Sequence, residues 1–416
     1  MATAQGIRLS SSGRNTLKNL VRLMPAVLVI AATLSALSCG SSGLLGSSSS
    51  SGGGSGSPTG TPTPGALAFV TNFNDGVVSS FTRNTTTGAL TLTSQVTTDA
   101  TGGPRGVIAV GANLLYVADI NDDNIYEYLI GTKGALSHLA IGPAFVSNGS
   151  GSGPDELATS PGVSPALVWV TGAHNGTVTS YVVSSSTGQL TSNGSIGGFD
   201  TPFGIKLHPT LQVLYVSDTT TGLIQPMSYN FDTGALSKAG FTAVHSSDIN
   251  ANTPAAIAID PEGDSLFIAD QVLGEVSSFS IDNTGAICGQ AGCLTPEFTF
   301  QNSSTSDVPV GVGIAVNTSI EFLFTANQGG GSVSSFVATG TTVNVPPTVA
   351  AGYKGPTGLV VDPQNAFVYT ADKFDGTVSQ STINGSCGSQ LCAGPLVSTE
   401  SPANVNSAPF GITLAQ

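Results

Sequence analysis

From Ala66 onward the chain repeats itself seven times, at intervals of 45–57 residues. The clearest mark is a short apolar strand carrying an aromatic residue, followed three positions later by Asn or Asp. The aromatics are Phe69, Tyr116, Trp169, Tyr215, Phe267, Phe324 and Tyr369. The polar partners are Asn72, Asp119, Asp218, Asp270, Asn327 and Asp372, with Gly172 as the exception. A turn rich in Gly, Asn and Asp comes next, then an alternating strand such as Val77-Val78-Ser79-Ser80-Phe81. Period-two alternation beside Gly-containing turns reads as a hairpin. A second turn recurs as Thr87-Gly88-Ala89-Leu90 and Thr233-Gly234-Ala235-Leu236. The unit closes on Pro-x-Gly or Pro-x-Ala before a run of small apolar residues, as in Pro104-Arg105-Gly106 and Pro254-Ala255-Ala256.

Each repeat therefore supplies four strands and nothing with helical periodicity. A sheet that is apolar on both faces is not stable alone; stacking seven around an axis buries the faces and protects the edges. The expected fold is all-β, a seven-bladed β-propeller of four-stranded blades. The phase of the repeat shows how the ring closes. The folded region starts on an aromatic strand (Leu67 to Thr71) and ends on a Pro-x-Gly strand (Phe410 to Leu414), so the C-terminal strand completes blade 1 and no sheet edge is left open.

The first 38 residues carry Arg8, Arg14, Lys18 and Arg22 but no acid, then an apolar run from Leu23 to Leu37. This reads as an export signal. It ends in Ala36-Leu37-Ser38-Cys39-Gly40, which resembles a bacterial lipobox with Ala36 where Leu is usual. Cys39 is the expected acylation site; an ordinary cleaved signal and a retained anchor are the alternatives. Residues 39–65, mostly Gly, Ser, Thr and Pro, are expected to form a tether about 25–30 Å long on average, leaving 66–416 as the propeller. Without the leader, seven Lys and Arg face 25 Asp and Glu. Such a surface repels phosphate backbones, so nucleic acid is not an expected partner, and phosphorylated substrates are disfavoured. Membrane contact is expected only through the lipid anchor, in the cell envelope, with the propeller itself a monomer.

Leu115-Tyr116-Val117-Ala118-Asp119, Leu214-Tyr215-Val216-Ser217-Asp218, the Val-Ser-Ser-Phe strands, the Thr-Gly-Ala-Leu turns and Ile259-Asp260-Pro261-Glu262-Gly263 together resemble the YVTN-type propellers of the lactonase (6-phosphogluconolactonase-like) family. The resemblance spans about residues 66–416. It implies hydrolysis of a sugar lactone at the mouth of the central channel. The scarcity of cations and the export signal point away from a phosphorylated lactone.

The mouth is expected on the face that carries the loops leading into the innermost strands. It would present Arg105, Asp155, Glu156, Phe203, Thr357 and Phe410. Blade 3 is irregular, since Pro154-Asp155-Glu156 puts a carboxylate where other blades have Gly or Ala. Glu156 is the candidate general base, Arg105 the candidate oxyanion or carboxylate holder, and His174 a candidate assistant. Asp155, Phe203, Thr357 and Phe410 are candidate binding residues. A structural ion pair, or a water-lined mouth, is the other reading of Arg105 and Glu156. His138 and His208 read as structural. No cofactor or metal is expected, although Asp119, Asp122 and Asp123 form a weak calcium pattern. Cys288/Cys293 and Cys387/Cys392 share the Cys-x4-Cys spacing in separate blades, which favours two local disulfides over a zinc site. Two functions fit: a lactone hydrolase, or a non-catalytic propeller that binds carbohydrate or an envelope protein.

Overall fold

The aromatic strand is buried on both faces, as the ring requires: every residue of Leu67–Asn72, Leu167–Gly172, Val213–Asp218, Ser265–Asp270 and Phe367–Asp372 is buried. A computed structural model of the chain describes residues 66–415 apart from 99–101, 140–144, 161–163, 247–252, 285–288, 303, 305, 318–319, 344–346, 384–396, 399–402 and 406–407. The expected signal, Cys39 and the tether lie outside the described residues, as do Cys288, Cys387 and Cys392.

The strands form seven antiparallel sheets. Blade 1 runs outward as Pro409–Leu414, Leu67–Asn72, Val77–Arg83 and Leu90–Thr97. The C-terminal strand thus closes the ring, with Ala68 opposite Leu414 and Val70 opposite Ile412. The innermost strands of blades 2 to 7 are Pro104–Val110, Pro154–Thr159, Pro202–Leu207, Pro254–Ile259, Pro309–Asn317 and Pro356–Val361. In blades 2, 4, 6 and 7 the outermost strand is split into two short pieces that both pair with the third strand.

The repeated residues prove to be the mortar between blades. Tyr116 donates its hydroxyl to the Gly188 carbonyl in the next blade's Thr-Gly turn, and Tyr369 does the same to Gly88 at 2.7 Å. Trp169 uses its indole N–H for the same purpose, on Gly234 at 2.8 Å. The polar residue three positions on caps the loop before its own innermost strand. Asp119 accepts from the Gly103 N–H and Asp218 from the Asp200 N–H, each at 2.7 Å. The glycine of Pro-x-Gly is required by close approach. A methyl on Gly411 would strike the Arg105 carbonyl of blade 2, and one on Gly106 the Asp155 carbonyl of blade 3.

His138 and His208 are structural, as expected. His138 stacks on Tyr128 on an outer strand. His208 Nδ1 accepts from the Thr210 and Leu211 amides while Nε2 donates to the Gly263 carbonyl. That copies the amide capping done by Asp260 and Asp362 in the equivalent turns of blades 5 and 7. The weak calcium pattern dissolves into turn capping. Asp119 holds the Gly103 amide, Asp122 accepts from Tyr126, and Asp123 accepts from Gly151 and Gly153. Cys293 is disulfide-bonded.

A second device binds blade 1 to blade 7. Arg83 and Asp362 form a fully buried ion pair at 3.0 Å, with Gln364 accepting a second guanidinium bond at 2.8 Å. Removing one partner of such a pair strands a buried charge, at a cost of about 3–5 kcal/mol. Asp362→Asn, which keeps the turn-capping oxygen, should lower the unfolding free energy in urea by that much. Adding Arg83→Met should restore more than half of the loss; strictly additive losses would show that the two charges are not coupled.

Candidate functional site

The channel mouth is built by a bulge. In all seven blades the pairing between first and second strands slips at the Pro-x-Gly segment. A bulge turns the extra residue out of the ladder, and here the x side chains meet over the axis. Phe203, Ala255, Val310 and Phe410, from blades 4, 5, 6 and 1, form one buried cluster with Phe73 and Val308 against it. Arg105 of blade 2 and Asp155 of blade 3 join them as an ion pair, and Thr357 of blade 7 is the seventh x residue. The Arg105 guanidinium carbon lies 4.4 Å from the centre of the Phe410 ring, 5.8 Å from Phe203 and 5.9 Å from Phe73. This end of the channel is therefore capped by an apolar plug, half of it aromatic, holding one charge pair.

Asp155 is buried, and burial pushes its carboxyl up to about 6 even though Arg105 opposes the shift. Two atoms of the pair have no hydrogen-bond partner among the described residues: Arg105 Nε, a donor, and Asp155 Oδ1, an acceptor. Glu156 is half-buried just inside the plug. It lines a cavity of about 190 Å³ with Val107, Leu157, Phe203, Thr357 and Phe410 among its walls. Burial, then the neighbouring Asp155, raise its carboxyl to about 8. Its backbone keeps the bond of the usual glycine. The Glu156 N–H donates to the Thr171 hydroxyl at 3.0 Å, as Gly411 does to Thr71 and Gly204 to Ser217.

The structure brings Arg105, Asp155, Phe203 and Phe410 together in one cluster, with Glu156 a layer beneath. The partner of Arg105 is Asp155, not Glu156. Thr357 lines the same cavity, but its hydroxyl faces the carbonyls of Ala371, Pro409 and Phe410 within the wall. His174 stands apart on an exposed turn, its ring against Gly153. It reaches Asp155 only through its field. Three further residues at the channel are not among the expected site residues. Phe73 joins the plug, and Lys373 sits half-buried near Arg105, its ammonium pKa lowered by burial and then by that neighbour. Lys206 lines the channel itself.

At the opposite face Asp260, Glu262 and Glu321 bring carboxylate oxygens within 4.8 Å of one another. Burial and the adjacent carboxylates raise Glu321 to about 7, and Asp260 already caps the Asp264 and Ser265 amides. This trio has the protonation pattern of crowded acids and no metal is assigned to it.

A family model described as lactonase, seven-bladed β-propeller, matches residues 166–309. Among solved structures, a candidate 6-phosphogluconolactonase of Bacteroides fragilis aligns at 14% identity with a TM-score of 0.70, covering 84% of this chain and 98% of that one. A protein from Lactobacillus plantarum aligns at 17% identity and 0.67, covering 84% and 99%. The periplasmic gluconolactonase of Pseudomonas aeruginosa aligns at 13% identity and 0.66, also covering 84% and 99%. No curated protein matches the sequence. At such identities the structures attest the shared fold.

Proposed function

Taking the chain as a lactonase-type seven-bladed propeller, we propose that it is exported to the cell envelope, is anchored there through an acylated Cys39, and hydrolyses a non-phosphorylated sugar or sugar-acid lactone. The observation that carries this reading is the plug. One unsatisfied donor, Arg105 Nε, and one unsatisfied acceptor, Asp155 Oδ1, sit side by side among phenyl rings. A neutral lactone offers the matching set: a carbonyl oxygen for the guanidinium, a hydroxyl for the carboxylate and a ring face for Phe410. A phosphate finds no comparable hold, because the charge of Arg105 is already balanced by Asp155. The fold shared with a periplasmic gluconolactonase supports both the substrate class and the address.

In this mechanism water adds to the lactone carbonyl, its proton passes to Glu156, and Arg105 stabilises the oxyanion. The ring C–O bond then breaks, the released alkoxide takes the proton, and a hydroxy acid leaves. Glu156 acts only when ionised, and its carboxyl titrates at about 8. The rate should therefore climb as pH rises through that value. Acid release from a panel of lactones tests the proposal. Glu156→Gln should lower kcat by roughly 10²–10⁴-fold, and equal rates for the two proteins would remove Glu156 from the chemistry.

The second reading is a non-catalytic binding propeller. It is favoured by the same plug, in which Arg105 is already engaged by a carboxylate and three rings. Saturable sugar binding without turnover, unchanged by Glu156→Gln, is its signature. A Cys288–Cys293 link is proposed as the disulfide of Cys293.

A further inference from the structure

We propose that the channel mouth opposite the Arg105–Asp155 pair is a second binding site, specific for a carboxylic acid with an aliphatic body, and that Lys206 is its counter-ion. The site lies at the far end of the channel from the plug and stands independently of the lactone reading.

Lys206 belongs to the innermost strand of blade 4, Pro202–Leu207. The equivalent residues in the other blades are Ile108, Ala158, Ala258, Gly313, Val360 and Thr413, none of them charged. A lysine at this one position of seven is a departure from what the ring needs for packing. Its side chain is exposed to the lumen of the channel, and the crowding of the surrounding blades lowers its ammonium pKa. Among the described residues the ion pairs are Arg83–Asp362 and Arg105–Asp155, so no carboxylate of those residues lies within ion-pair distance of Lys206. An ammonium that faces the lumen with no carboxylate of the described residues beside it is open to a ligand carboxylate as its counter-ion.

The cavity around it defines the rest of the ligand. It has a volume of about 860 Å³ and opens at the turns that carry Gly111, Pro209 and Pro363. Its walls are largely aliphatic, with Ile108, Leu157, Ile205, Leu207, Val361 and Leu414 among them. Lys206 is the single Lys, Arg, Asp or Glu in this lining. His208, also at this mouth, spends both ring nitrogens on the backbone, one as acceptor and one as donor, which fixes it as the neutral imidazole. The nearest acid in the channel lining is Glu156, in the smaller cavity towards the plug that Lys206 also lines. One cation in an apolar chamber of this size suits a monoanion with a hydrocarbon body. A dianionic phosphate would leave one charge unpaired.

Octanoate is the probe and 1-octanol the uncharged control, titrated calorimetrically into the full chain at pH 7. The wild type should bind octanoate saturably at one site. Lys206→Met, which keeps the unbranched apolar stem and removes the charge, should weaken octanoate at least tenfold and leave 1-octanol unchanged. Equal octanoate affinity in both proteins, or no saturable binding to the wild type, overturns the proposal. Should the variant fail to fold, ¹³C-dimethylation of the lysines in the wild type gives an independent readout. Octanoate should raise the pH midpoint of the Lys206 resonance, with Glu156 and His208 as the other titrating groups of the lumen; an unmoved midpoint counts against the site.

Discussion

Removing residues 409–416 is expected to abolish cooperative unfolding and to produce a chain that self-associates. The missing strand is the innermost one of blade 1, and it leaves Leu67–Asn72 with an unpaired edge. An apolar, unpaired strand of that kind is a template for pairing with another copy. The damage extends beyond one ladder. Ile412 and Leu414 pack into the cluster that joins blade 1 to blade 7, and Phe410 belongs to the plug. The backbone of Gly411 touches Arg105 of blade 2 and its amide bonds Thr71. The ring is thus opened on both sides of the same blade. Size-exclusion chromatography and thermal melting will show the outcome. A synthetic peptide of residues 409–416 should restore part of the transition when added in excess, because its partner edge is intact. A truncated monomer that melts like the full chain would mean that closure by this strand is not what holds the ring.

How much of this is legible in sequence depends on whether a feature is repeated. The aromatic, the polar cap, the two turns and the Pro-x-Gly segment recur in blade after blade, so chance patterns average out and the fold is legible, including the strand that closes it. The x positions are legible as one layer for the same reason. Which of them meet is not, because Arg105 and Asp155 touch only through the stagger of neighbouring blades, and Phe203 reaches Arg105 across the axis. Arg83 and Asp362 lie 279 residues apart and carry no local signal at all. Lys206 does have one: laid beside its six counterparts, it is the only charge in its row. Comparing blades at the mouth singles out Glu156, and the same comparison one step deeper along the strand singles out Lys206. His174 shows the converse error, since a histidine in a loop of the right face has nothing in sequence to fix its distance from the axis.

The propeller should be most stable in mildly acidic solution and lose stability as pH rises, the reverse of the usual behaviour of a protein rich in paired carboxylates. Several acids are buried without a cation to hold them ionised. Burial raises Asp372 to about 7, Glu127 to about 6 and Glu156 to about 8, and it lifts Asp119 and Asp270 in the same direction. Asp119, Asp270 and Asp372 occupy the same position in their blades, so the effect is built into the repeat. A carboxyl whose folded pKa exceeds its unfolded value keeps more protons in the folded state. Its contribution is complete below about pH 4 and is lost as pH climbs through the folded value, here across roughly pH 4 to 8. His208 opposes the trend, since burial lowers its pKa and favours the neutral ring of the fold; it is one group against many. A tenfold difference in proton affinity between the folded and unfolded chain is worth about 1.4 kcal/mol, and the mutual repulsion of a chain at −14 adds to the same slope. The unfolding free energy should fall by on the order of 3 kcal/mol or more between pH 5 and pH 8. Denaturant titrations at the two values measure it directly. Asp372→Asn should flatten the curve, because the amide keeps the bonds to Thr370 and Ser379 within reach and has no proton to lose. A stability that rises from pH 5 to pH 8 would mean that these carboxyls are ionised in the folded ring and that water reaches them.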